Sequence, residues 1–149
     1  MSKGNELSII SRYMKKLHVL TLCVGGNSEL WCASCFYTYD ENEVAFYIMT
    51  ETSTRHGEMM LRYPAVAGTI AGQPKTVMLI KGVQFSGQAL LLQGEETVSA
   101  CERYTQRFPI ARGATSPVWR LRIDTLKMSD NTLGFGTKRH WYRDEENDG

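Results

Sequence analysis

The residues with the clearest capacity for chemistry stand together between positions 50 and 56: Thr50, Glu51, Thr52, Ser53, Thr54, Arg55 and His56. Before them, Val44, Phe46 and Ile48 alternate with Glu43, Ala45, Tyr47 and Met49, the period-2 pattern of a strand; after them come the apolar Met59, Met60 and Leu61. The chain is therefore expected to leave a strand and open a short helix inside this run. A helix start exposes main-chain N–H groups and a partial positive charge, and Arg55 and His56 add side-chain donors at the same place. Such a set suits an oxyanion, a phosphate above all. The same hydroxyl residues would also serve as plain helix caps, with Arg55 a solvated surface charge.

Other reactive residues form no comparable group. The four cysteines, Cys23, Cys32, Cys35 and Cys101, read as free thiols of a reducing compartment. Cys32 and Cys35 make a CxxC, but it lies in the apolar run LWCASCFY, which reads as a strand, where side chains three apart point to opposite faces. No second CxxC accompanies it, so neither a zinc site nor a redox pair is expected there. Lys81 stands in the apolar run VMLIKGV and reads either as a snorkelling lysine at an edge or as a ligand for an anion. No triad, carboxylate dyad or metal cluster is apparent.

The elements that must position the 50–56 run follow from patterning. Leu7, Ile10, Met14 and Leu17 give an amphipathic helix over 5–17. Strands are expected at 18–24, closed by Gly25, Gly26 and Asn27, then at 29–39, turned by Asp40 to Asn42, and at 43–49. Ala65 to Gly72 supplies another strand, rich in small residues that suit tight barrel packing or a ligand groove. Residues 76–92 read as one bent strand with Gly82 and Gly87 as bulge sites. A second helix runs from Glu95 to Pro109, and the run at 117–128 alternates Trp119, Leu121 and Ile123 with Arg120, Arg122 and Asp124. Short strands without βαβ alternation argue for a mainly β fold, an antiparallel barrel with peripheral helices.

The chain of 149 residues is expected to form one domain over 1–149, with the polar tail 143–149 disordered. A net charge of +1 argues against nucleic-acid binding as the main task, although Arg120 and Arg122 flank Trp119. No run is long and apolar enough to cross a membrane, and MSKGNELSIISRYMKK lacks the core of a signal peptide, so a cytoplasmic protein is expected. Apolar and aromatic material in excess of one small barrel's needs points to a homodimer.

The order of elements and the run YIMTETSTRH resemble the FMN-binding split barrel of the pyridoxamine 5'-phosphate oxidase-like superfamily. Over nearly its full length the chain resembles the YhbP-like branch, through FYIMTE, TRH, VAGTIAGQPKTV, IKGVQF, RFPIAR and DNTLGFG. The resemblance implies a split barrel of the flavin-reductase and oxidase type. It also implies FMN held at a dimer interface, with Thr50, Thr54, Arg55 and His56 on its phosphate, where the superfamily has Thr and Ser-Arg-Lys.

The preceding strand, from Trp31 through Cys32 and Ala33 to Phe36, would face the flavin ring, with Trp119 or Phe135 of a second copy nearby. The oxidase's ring-contacting Gln falls at Gly82 here, beside Lys81, and its C-terminal Arg-x-His has no counterpart, so vitamin B6 oxidation is not implied. The resemblance implies instead an FMN-dependent oxidoreductase drawing on a reduced nicotinamide. The alternative is a non-catalytic flavin or haem carrier or sensor, with His18, His56 and His140 as candidate iron ligands.

Overall fold

The structure is a computed structural model that describes residues 3–144. Among the described residues three α-helices, α1 (Lys3–Lys16), α2 (Arg55–Arg62) and α3 (Glu95–Arg107), decorate eight strands. The strands are β1 (Val19–Gly26), β2 (Glu29–Phe36), β3 (Thr38–Asp40), β4 (Ala45–Met49), β5 (Ala65–Ala71), β6 (Lys81–Leu91), β7 (Val118–Asp130) and β8 (Lys138–Tyr142). They form one antiparallel sheet in the order β2-β1-β5-β6-β7-β4-β3, with β8 also on β7. The architecture is a split β-barrel. Strand β7 is long enough to serve two neighbours along one edge: β4 pairs with its first half, up to Arg122, and β8 with its second, from Thr125.

Alternation places Leu20, Leu22 and Val24 of β1, Val66 and Ile70 of β5, Val83 and Phe85 of β6 and Trp119, Leu121 and Ile123 of β7 on one face, where all are buried. Ile10 and Met14 of α1 and Met59 and Met60 of α2 close that core. Gly68 belongs to it: a side chain there would run into the Thr21 carbonyl and the Phe85 ring, so the small residues of β5 serve tight packing. Of the two expected bulge sites, Gly87 lies where the β6–β7 register shifts, whereas Gly82 pairs in regular register with Ala71 and Ser129.

Four expectations are corrected. The run 29–39 is not one strand, because Tyr37 breaks it: its N–H donates to the His18 carbonyl (3.0 Å) and its hydroxyl to the Met14 carbonyl (2.5 Å), with the ring fully buried. Arg107 of α3 donates to the carbonyls of Tyr37, Lys15 and Leu17 at the same corner. The chain thus passes from β2, on the β1 side of the barrel, to β3, on the β4 side. The β1–β2 turn is Asn27–Ser28, both with positive φ (50° and 69°), while Gly25 and Gly26 stay in β1. Residues 76–92 are two pieces: a 3-10 turn at Val77–Leu79, held by Asn131 through the Val77 and Ile80 carbonyls, precedes β6. Arg143, expected in a disordered tail, donates to the carbonyls of Ile123, Glu43 and Val44. The remainder of that expected tail, 145–149, lies outside the described residues.

Candidate functional site

The 50–56 run leaves β4 at Met49 and enters α2 at Arg55, as its residue types require. Thr54 is the N-cap: its hydroxyl accepts from the Gly57 N–H (3.0 Å) and donates to the Glu51 carbonyl (2.8 Å). The amides of Arg55 and His56, in the first turn, have no main-chain acceptor among the described residues. Behind this loop, the buried indole of Trp119 donates to the Thr50 carbonyl (3.1 Å) and the Thr50 N–H donates to the Pro117 carbonyl (3.1 Å). Trp119 therefore supports the cradle from within the barrel and is not free to stack on a ligand.

The side chains converge. The His56 Nε2 lies 2.7 Å from the Thr50 hydroxyl and 3.5 Å from that of Thr54. Burial lowers its pKa below the ordinary histidine value, so the ring is held toward its neutral form. Arg55 carries its guanidinium 3.9 Å above the centre of the Trp31 ring. No carboxylate among the described residues pairs with it, whereas Arg62, Arg103, Arg120, Arg122 and Arg139 each have one. A guanidinium held over an aromatic face leaves its N–H donors free to turn toward solvent or a ligand.

Trp31 reaches this position because α2 is docked on the β1–β2 hairpin. Arg62, at the end of α2, contacts Glu29 (2.9 Å), and the Tyr63 ring packs so closely on Gly26 that any side chain there would overlap it. Ala33 shares the Trp31 side of β2, while Cys32 points to the other face, opposite Cys23. Strand β2 is a sheet edge, and among the described residues its outer main-chain groups have no strand partner.

Lys81 is not brought to this group within one chain. It opens β6 opposite Asp130, while Leu91, at the other end of that 11-residue strand, lies opposite Trp119. The separation along the strand is roughly 33 Å. Phe135 is exposed, three residues before Lys138 opens β8. The histidines are also apart: His18 meets the Phe108 ring edge at 6.2 Å, and His140 stacks on Tyr142 at 6.0 Å. Arg120 is paired with Glu96 and Arg122 with Asp124. A hollow of about 480 Å³ is lined by Tyr39, Asp40 and Arg103, not by the cradle. Two contributors are not evident from the patterning, the Trp119 indole and Gly57. A glycine in the first turn of a helix costs stability relative to alanine, and that is the one sequence signal for Gly57.

No protein-family model matches the chain. A UPF0306 protein of Serratia proteamaculans is 51% identical over 143 residues, which is 96% of this chain and 99% of that protein. The chain belongs to the UPF0306 family. Among solved structures, this UPF0306 chain is similar to a haem-binding protein from Mycobacterium smegmatis at a TM-score of 0.74 and 17% identity, over 95% of this chain and 58% of that one. A FAD-binding protein from Mesorhizobium loti matches at a TM-score of 0.65 and 12% identity, over 79% of this chain and 89% of that one. At these identities the likeness is one of fold, and the fold is the split barrel. Among the described residues no helix is long and apolar enough to cross a membrane.

Proposed function

We propose that this protein is a cytoplasmic FMN-binding oxidoreductase whose site is completed by a second copy of the chain. The observation that carries the reading is Arg55, stacked on Trp31 without a carboxylate partner, beside the open amides of α2 and the Thr50–His56–Thr54 cluster. The donor set fits a phosphate monoester: one planar guanidinium, the Thr50 hydroxyl, two amides without a main-chain acceptor among the described residues and an imidazole, while Thr54, its proton on the Glu51 carbonyl, shapes the loop. Thr50, Arg55 and His56 would hold the phosphate on the loop that Thr54 shapes; Trp31, Ala33 and the edge main chain of β2, Cys32 included, would flank the ring. FMN, when bound, supplies hydride and electron transfer. The chain's part is to hold and orient, and the electron donor in this reading is a reduced nicotinamide.

Lys81 joins the site only from the second copy, since the length of β6 separates it from the cradle of its own chain. The exposed Val77, Met78, Leu79 and Phe135 offer that copy an apolar surface. Mixing an Arg55→Ala protein with a Lys81→Ala protein therefore restores retained flavin. Random exchange of subunits gives about a quarter of the wild-type occupancy, because half the dimers are mixed and each carries one intact site. No recovery in verified mixed dimers would place Lys81 outside the site.

The absorption spectrum of the purified protein, before and after FMN is added and desalted away, tests the whole reading. Retained flavin bands that NADH or NADPH bleaches support it. A Soret band would instead favour a haem carrier, the reading suggested by the Mycobacterium smegmatis likeness.

His56 makes binding pH-dependent. Its free-state pKa is lowered, and a bound phosphate dianion stabilises the imidazolium, so binding takes up a proton. Affinity then rises as pH falls through the ordinary histidine range toward the depressed free value, by up to about tenfold per pH unit. The phosphate's own ionisation near about 6 opposes this at the acid end. The comparison of wild type with His56→Gln by titration calorimetry isolates the histidine, and equal slopes would remove it from the site.

A further inference from the structure

Antiparallel register sets Cys23 of β1 directly opposite Cys32 of β2, and their sulfurs are 3.5 Å apart. The turn at Asn27–Ser28 makes Gly26 and Glu29 the hydrogen-bonded pair that closes the hairpin. Pairs alternate from there, so Cys23 and Cys32 occupy a non-hydrogen-bonded position, where Cα atoms are only about 4.5 Å apart and side chains are closest. That spacing lies inside the range a disulfide needs, and closing the sulfurs to about 2.05 Å takes side-chain rotation without a change of register. Cys32 is exposed and Cys23 half-buried, on the sheet face away from the Trp31 side; Thr21, Ser34 and Ala67 beside them are small, and Leu30 on the same face is exposed. Neither of the other cysteines has such a partner: Cys35 faces the opposite side of β2, and Cys101 lies on α3.

We propose that Cys23 and Cys32 form a reversible dithiol–disulfide couple, a modification site on the open sheet face that takes hydrogen peroxide as oxidant. The exposed Cys32 thiolate attacks the peroxide, cleaving the O–O bond to give Cys32 sulfenic acid and one water. The Cys23 sulfur then attacks the Cys32 sulfur, the S–S bond forms, and hydroxide leaves to be protonated to a second water. Two thiols lose two hydrogens and two electrons, and the peroxide is reduced to two waters. Burial and the adjoining Cys32 raise the Cys23 pKa, which suits it to the second step rather than the first. The bond would clamp the hairpin that carries Trp31 and Glu29. The couple needs no cofactor, so it stands or falls separately from the flavin reading.

The full-length protein, reduced and freed of reductant, is treated with one equivalent of hydrogen peroxide, its thiols are counted, and its peptides are mapped by mass spectrometry without reduction. Of the four thiols, two are expected to be lost and recovered with dithiothreitol, with the Cys23 and Cys32 peptides linked within one chain. Cys23→Ser is expected to leave Cys32 as a sulfenic acid that dimedone traps, and the double variant Cys35→Ser/Cys101→Ser to behave as wild type. Four thiols surviving, a link through Cys35 or Cys101, or Cys32 passing to sulfinic acid while Cys23 stays reduced in the wild type would each overturn the proposal.

Discussion

Replacing Arg55 by Ala is expected to leave the fold intact, to lower the unfolding temperature of the flavin-free protein by no more than a few degrees, and to weaken FMN binding by roughly ten- to hundredfold. The two halves follow from the same geometry. Arg55 is exposed, and among the described residues its side chain is held by the Trp31 ring, a contact that contributes about 0.5–1 kcal/mol at such a site. Little stability is lost with it. On the ligand side it is the one fixed positive charge among the cradle residues, and hydrogen bonds between charged groups contribute about 1.5–3 kcal/mol, which corresponds to roughly ten- to hundredfold in affinity. Arg55→Lys recovers only part, because an ammonium can neither stack flat on Trp31 nor contact a phosphate through a planar fork. Circular dichroism alongside fluorescence titration with FMN checks both halves. An Arg55→Ala protein that is folded and still retains flavin at wild-type level would show that the phosphate lies elsewhere.

Gly57→Ala should act in the opposite manner, through structure first. The added methyl would strike the Glu51 carbonyl and the Thr54 hydroxyl, the two groups whose hydrogen bond shapes the 51–54 loop. The carbonyl is main chain, so the loop must move away from α2. Overpacking of this kind costs about 1–3 kcal/mol, and loss of the Thr54 cap adds about 1 kcal/mol. Thermal unfolding should drop by several degrees, while added FMN restores little of the loss because the cradle it would occupy has opened. A Gly57→Ala protein with wild-type stability and flavin retention would mean that the loop adapts without cost. The pair of substitutions separates a ligand contact from a scaffold contact: Arg55→Ala removes binding without stability, and Gly57→Ala removes both.

The strand-to-helix unit that we propose as a phosphate cradle is legible in the sequence because its signals are local. The strand-to-helix change at Thr50 to Arg55, the capping role of Thr54 and the side chains of Arg55 and His56 all lie within seven residues. Local backbone preference and periodicity are enough for such a unit. The amphipathic α1 and α3 and the alternating Trp119, Leu121 and Ile123 of β7 are legible for the same reason. Continuous apolar runs mislead where tertiary contacts divide them. Tyr37 looks like one more strand residue in FYTYD, yet its hydroxyl is taken by the end of α1, and the strand breaks there. Val77, Met78 and Leu79 look like the start of β6, yet the chain turns under the hold of Asn131, 54 positions later.

The class of the fold and the chemistry of one short segment thus reside in the sequence alone: alternation, capping and residue type act over a few positions and need no distant partner. Which residues meet that segment is a matter of tertiary packing. Trp31 lies under Arg55 because Arg62 and Tyr63 dock α2 on the β1–β2 hairpin, and Trp119 supports Thr50 from 69 positions away. Lys81 is carried to the far end of β6, and Cys32 is opposed to Cys23 rather than Cys35, because strand length and register, not proximity along the chain, set those distances.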